Sequence, residues 1–161
     1  KSRIRFSRGP MYLRTSAIFF AHSGDSWFWL IALAIVWWLG TPEWKYRAAV
    51  ITTGIVFTAL VVQVLKLTFR RQRPEGDWGK IYRKTDPHSF PSGHAARAGL
   101  VLGLGLWLGP SWLTLTLIFY SPLMALARIV MGVHYLSDVA AGYMLGLLIG
   151  VVGGWVLSGG I

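Results

Sequence analysis

Residues 135–157 read Tyr-Leu-Ser-Asp-Val-Ala-Ala-Gly-Tyr-Met-Leu-Gly-Leu-Leu-Ile-Gly-Val-Val-Gly-Gly-Trp-Val-Leu, and this stretch decides the fold. Its single charge, Asp138, stands near the start. The rest is long and apolar enough to cross a bilayer as a helix, which takes about 20 residues. Gly142, Gly146, Gly150 and Gly154 recur every fourth residue and form a ridge down one face. In lipid, such ridges let a neighbouring helix approach closely. Gly99 and Gly103 make a shorter ridge upstream. The expected partner therefore lies within the chain rather than in a second copy.

Upstream, apolar segments cover 112–130, 95–108, 51–65 and 27–40. Thr41-Pro42-Glu43 and Gly109-Pro110-Ser111 mark tight turns between them. The expectation is an all-α, polytopic transmembrane helical bundle of five to six spans. Some segments are short, so flanking residues would lengthen them or the bilayer would thin. Composition agrees: 54% of the 161 residues are hydrophobic and 14% are charged, where a soluble domain carries about 25% charge.

Residues 1–22 mix Lys1, Arg3, Arg5, Arg8 and Arg14 with apolar side chains. They read as a basic amphipathic segment at the membrane interface, followed by one transmembrane catalytic domain over 23–158. They lack the apolar run and cleavage site of a signal peptide. The net charge of +10 would suggest nucleic acid in a soluble protein. Here the cations lie between apolar spans, so phosphorylated lipid and membrane lipids are the expected partners. Cysteine is absent, which excludes disulfides and thiolate chemistry.

Counting spans from Trp27 sends alternate ends to opposite sides and gathers the polar clusters on one. These are Lys66–Pro74, Ser89–His94 and Arg128–Asp138. Lys66, Arg73 and Arg128 offer three cations to a phosphate, with the guanidinium fork matching its oxygens. Ser92-Gly93-His94 opens an apolar run and reads as a helix start, whose backbone N–H groups bind anions. His134 and Asp138 are four apart and share a helical face. A carboxylate there would orient the imidazole and support its charge. His134 could then attack phosphorus, with His94 as acid and later base. His22 and His88 read as structural residues.

These residues carry a resemblance. Lys66-x6-Arg73-Pro74, Pro91-Ser92-Gly93-His94 and Arg128-x5-His134-x3-Asp138 resemble the three signature motifs of the type 2 phosphatidic acid phosphatase (PAP2) superfamily, which has an acid phosphatase–haloperoxidase-like core. The resemblance implies catalysis by His134, His94 and Asp138, phosphate binding by Lys66, Arg73, Ser92, Gly93 and Arg128, and neither metal nor cofactor. The third motif usually begins Ser-Arg and here reads Ala127-Arg128.

The function expected is hydrolysis of a lipid phosphate or polyprenyl diphosphate, of the phosphatidic acid, phosphatidylglycerophosphate or undecaprenyl diphosphate type, through phosphohistidine. The alternatives are a lipid phosphotransferase sharing that intermediate and a non-enzymatic anionic-lipid binding or transport module. The second has no need of His134 and Asp138 at helical spacing. A multi-pass protein of a bacterial inner membrane is expected. Of the 16 Lys and Arg, only Lys45 and Arg47 fall opposite the motifs, so the positive-inside rule points the site to the cytoplasm. The resemblance points outward, and the side of the site stays open with a lean to the exterior. Oligomeric state stays open.

Overall fold

The computed structural model describes residues 11–75 and 86–159. Most of the basic N-terminal run, including Lys1, Arg3, Arg5 and Arg8, lies outside the described residues. Among the described residues there are six helices: α1 Met11–His22, α2 Ser26–Leu39, α3 Pro42–Phe69, α4 Gly93–Leu108, α5 Ser111–Val130 and α6 Leu136–Leu157.

The turns form where their residues dictate. Thr41 takes the N-cap position of α3 and Pro42 its first turn, where a missing N–H costs nothing. The apolar run at 51–65 thus extends into a 28-residue helix, about 42 Å at 1.5 Å per residue. It ends where Arg70 adopts a left-handed conformation, φ 47°.

Helix α4 is the axis of the bundle. Residues Ala95 through Gly105 are all buried, Arg97 included. The glycine ridge of α6 faces it. A Cβ at Gly146 would land on the Ala96 carbonyl oxygen, and one at Gly142 on that of Ser92. A Cβ at Gly103 would come within 2.7 Å of the Leu147 carbonyl. Both ridges therefore serve internal packing, backbone against backbone. Tyr143 Oη and Ser121 Oγ, 2.8 Å apart, tie α6 to α5.

The surface is inverted relative to a soluble protein. Trp38, Leu60, Val64, Phe119, Met144 and Leu148 are all well exposed, the pattern of helices facing lipid. By length and composition, the described residues hold three or four of the expected five to six spans. Helices α3, α5 and α6 are long and apolar enough to cross a membrane, with a fourth crossing if α1 and α2 form one span bent by 59°. The 16-residue α4 is about 24 Å long. Sheathed by its neighbours, it needs neither the length nor the apolar perimeter of a lipid-facing helix. Helix α1 packs on the bundle through buried Ala17 and Ala21, with Phe20 against Tyr120 at 5.7 Å between ring centroids.

Candidate active site

Three chain reversals build the site. The first follows α3. Lys66 is buried in its last turn, and past Arg70 the chain delivers Arg73, also buried. The second is the start of α4, and the third is the α5–α6 turn carrying Arg128 and His134. Lys66, Arg73, Gly93, His94, Arg128 and His134 line one cavity of about 270 Å³. Ile55, Thr58, Ala59 and Val62 continue its wall along α3. The cavity thus has a cationic end and, along α3, a mixed flank on which Ile55, Ala59 and Val62 stand with Thr58 and Gln63.

His134 is held in one protonation form by its neighbours. Its Nδ1 lies 2.8 Å from the Ser89 carbonyl oxygen, which can only accept. Its Nε2 lies 3.0 Å from Arg73 Nη1, which can only donate. The ring is therefore neutral, with the proton on Nδ1 and a lone pair on Nε2. Burial pushes its pKa down, Asp138 opposes, and the charges of Arg73, Arg128 and Lys66 add to the push, giving about 4.

Asp138 takes more than one partner. Its Oδ1 accepts from Arg71 Nη1 at 2.8 Å and its Oδ2 from the Tyr135 N–H at 2.9 Å. Oδ2 stands 3.8 Å from His134 Nδ1, ion-pair range but beyond a hydrogen bond. The carboxylate thus caps α6 and faces the imidazole, while the Ser89 carbonyl makes the direct bond. Ser92 lies buried beside the ridge of α6. Its N–H donates to the Asp138 carbonyl at 2.9 Å, and its Oγ has no hydrogen-bond partner among the described residues. Gly93 lines the cavity, and a Cβ there would meet only Val62, at 3.7 Å.

A model of the PAP2 superfamily matches residues 44–158. The chain belongs to the PAP2 superfamily. It is 32% identical over 136 residues to the decaprenylphosphoryl-5-phosphoribose phosphatase of Mycobacterium tuberculosis, covering 82% of this chain and 73% of that one. Its fold resembles that of LpxE from Aquifex aeolicus, with a TM-score of 0.71 and 25% identity over 93% of this chain and 89% of that one. It also resembles the transmembrane PAP2-type phosphatidylglycerolphosphate phosphatase of Bacillus subtilis, with a TM-score of 0.73 and 22% identity over 92% and 78% of the two chains. As a PAP2 protein with membrane-spanning helices, it is a membrane lipid phosphatase. Its departure from the usual third motif has a local setting. Ala127 packs with Ala21 of α1, Met131 and Val133.

Four residues near the PAP2 motifs escaped the sequence reading. Asp86 accepts from Arg73 Nη2 at 2.7 Å and from the Lys66 ammonium. Burial pushes its carboxyl up, but Lys66, Arg73 and His134 outweigh that and hold it below the usual carboxylate range. Arg71 holds Asp138 and stacks on Tyr135 at 4.3 Å. Arg97 is buried on α4, and Asp25 meets His94. A signal existed for three of them. The chain has only six acidic residues, and Arg97 interrupts an apolar span. Scarce ionisable groups in such a setting are functional candidates.

Proposed function

We propose that this phosphatase hydrolyses the phosphomonoester or diphosphate of a membrane-anchored lipid, through a phosphohistidine on His134. The observation that carries the reading is the single tautomer of His134, with its Nε2 lone pair in a cavity lined by Lys66, Arg73 and Arg128.

Phosphate would displace Asp86 from Lys66 and Arg73, drawing Arg73 off Nε2. The Nε2 lone pair then attacks phosphorus and the P–O bond to the lipid breaks. His94 gives its proton to the leaving oxygen, producing the lipid alcohol. Water next loses a proton to His94 and attacks phosphorus. The P–N bond breaks, and inorganic phosphate departs with His134 neutral again. The Nδ1–H keeps its bond to the Ser89 carbonyl, and Asp138 offsets the charge on the ring. At the start of α4, Ser92 makes no side-chain cap. The first N–H groups of the helix, at cavity-lining Gly93 and His94, are thus placed toward phosphate oxygens.

Ile55, Ala59 and Val62 on α3 offer apolar contact to the first part of a lipid beside its phosphorylated headgroup. A polyprenyl phosphate or diphosphate, phosphatidic acid and phosphatidylglycerophosphate all have that form. Purified protein supplied with this panel should release phosphate, and His134→Ala should not. Equal release by both would refute hydrolysis at His134.

For topology, the reading is five crossings, with α4 crossing inside its sheath of protein and α1 lying at the interface. The cavity faces the exterior of a bacterial inner membrane. The cysteine-free sequence makes the test simple: Glu75→Cys should react with an impermeant maleimide in intact cells. Labelling only after lysis would place the site inside.

A further inference from the structure

The turn between α1 and α2 lies outside all three motif clusters, yet it reaches the site. Asp25 Oδ1 stands 2.8 Å from His94 Nε2, and Oδ2 stands 3.2 Å from His22 Nδ1. Asp25 occupies the N-cap position of α2 but makes no side-chain cap there. Its carboxylate is turned instead to the imidazole, forgoing the usual capping contact.

The rest of the turn is built to hold that geometry. Buried Arg97, one helical turn beyond His94 on α4, donates to the Gly24 carbonyl and to Ser26 Oγ, the residues flanking Asp25. Trp29 Nε1 donates to the Ser23 carbonyl at 2.9 Å, and Ser23 Oγ to the Phe20 carbonyl at 2.9 Å. Gly24 lies against the ring itself. A Cβ there would come within 3.1 Å of His94 Cδ2 and 2.9 Å of Met124 sulfur. The nearby guanidinium thus grips the residues on either side of Asp25 and leaves its carboxylate to the two histidines, Oδ1 to His94.

From this geometry we infer that Asp25 is the positioning residue of the acid–base histidine, fixing the proton on His94 Nε2 and supporting the imidazolium that protonates the leaving group. A carboxylate only accepts, so Nε2 must donate to it and Nδ1 is the atom that exchanges protons with substrate and water. In the first step Nδ1–H passes to the leaving oxygen and the ring becomes neutral. In the second the Nδ1 lone pair takes the proton of water. Asp25 stays ionised throughout. The inference rests on the acid–base role proposed for His94.

The test uses leaving-group dependence, since a general acid matters for a poor leaving group and little for a good one. kcat/KM is measured for the full chain with phosphatidic acid, whose diacylglycerol is a poor leaving group unless protonated, and with p-nitrophenyl phosphate, whose nitrophenolate leaves without a proton. Asp25→Asn should lose about tenfold or more on phosphatidic acid and less than about threefold on the nitrophenyl ester. Asp25→Glu, which keeps the carboxylate, should recover most of the loss. His94→Asn calibrates the split. A uniform loss on both substrates by His94→Asn overturns the acid–base reading itself. A split for His94→Asn with a uniform loss, or none, for Asp25→Asn overturns the role of Asp25 alone. If Asp25→Asn does not fold, Asp25→Ser takes its place under the same criteria.

Discussion

Arg73 Nη1 lies 3.0 Å from His134 Nε2, so a cation holds the nitrogen whose lone pair the chemistry requires. The contact is possible only while the ring is neutral. Protonation of Nε2 would set two donors against each other beside three buried cations. An unperturbed histidine titrates near 6.5, whereas His134 is pushed down to about 4. The nucleophile is therefore in its competent form above pH 4 and is lost as pH falls through that value. In ¹⁵N-histidine spectra of the purified protein, His134 should stay neutral, with its proton on Nδ1, at pH 5.5. A midpoint near 6.5 would contradict this account of the site.

Asp86 occupies the cations that phosphate must reach. Its carboxylate bonds Lys66 and Arg73 together, so a phosphate competes with a tethered anion. Asp86→Asn removes that competitor. Product inhibition by inorganic phosphate should tighten, by about tenfold if the anion site is mostly closed in the free enzyme. The same change leaves buried cations without their counter-charge. Tm should fall without phosphate and recover as phosphate is added, because a ligand of the native state stabilises it. Unchanged inhibition would show that Asp86 does not guard the site.

The α4–α6 contact can be probed by one methyl group. Gly146→Ala would drive a Cβ into the Ala96 carbonyl, whereas Gly153→Ala, on the same helix, meets only Leu104 at 3.8 Å. Overpacking a tight contact costs about 1–3 kcal/mol, while removing an unneeded helical glycine can stabilise by up to about 1 kcal/mol. Thermal unfolding in detergent should therefore separate the two variants, with Gly146→Ala lower than wild type and Gly153→Ala equal or higher.

Much of this was legible in the sequence, because membrane helices announce themselves by composition and glycines every four residues predict a close face. The cavity carrying Lys66, Arg73, His94, Arg128 and His134 followed from counting spans. The apolar run at 95–108 marked α4; what it could not show is that protein rather than lipid surrounds most of that helix. The second partner of His134 was also hidden, since a backbone carbonyl such as that of Ser89 leaves no mark on residue type. Asp25 and Asp86 are distant in sequence from the histidine and cations they meet. Periodicity carries no information about a turn folding back 69 residues onto His94.

The central claim is that phosphate passes through His134, and trapping the intermediate tests it most directly. Protein mixed with ³²P-labelled phosphatidic acid and quenched within milliseconds should carry an alkali-stable, acid-labile label on the peptide containing His134. His134→Ala should carry none. Phosphate release by the wild type without any label on His134, or a label on another residue, would contradict the account.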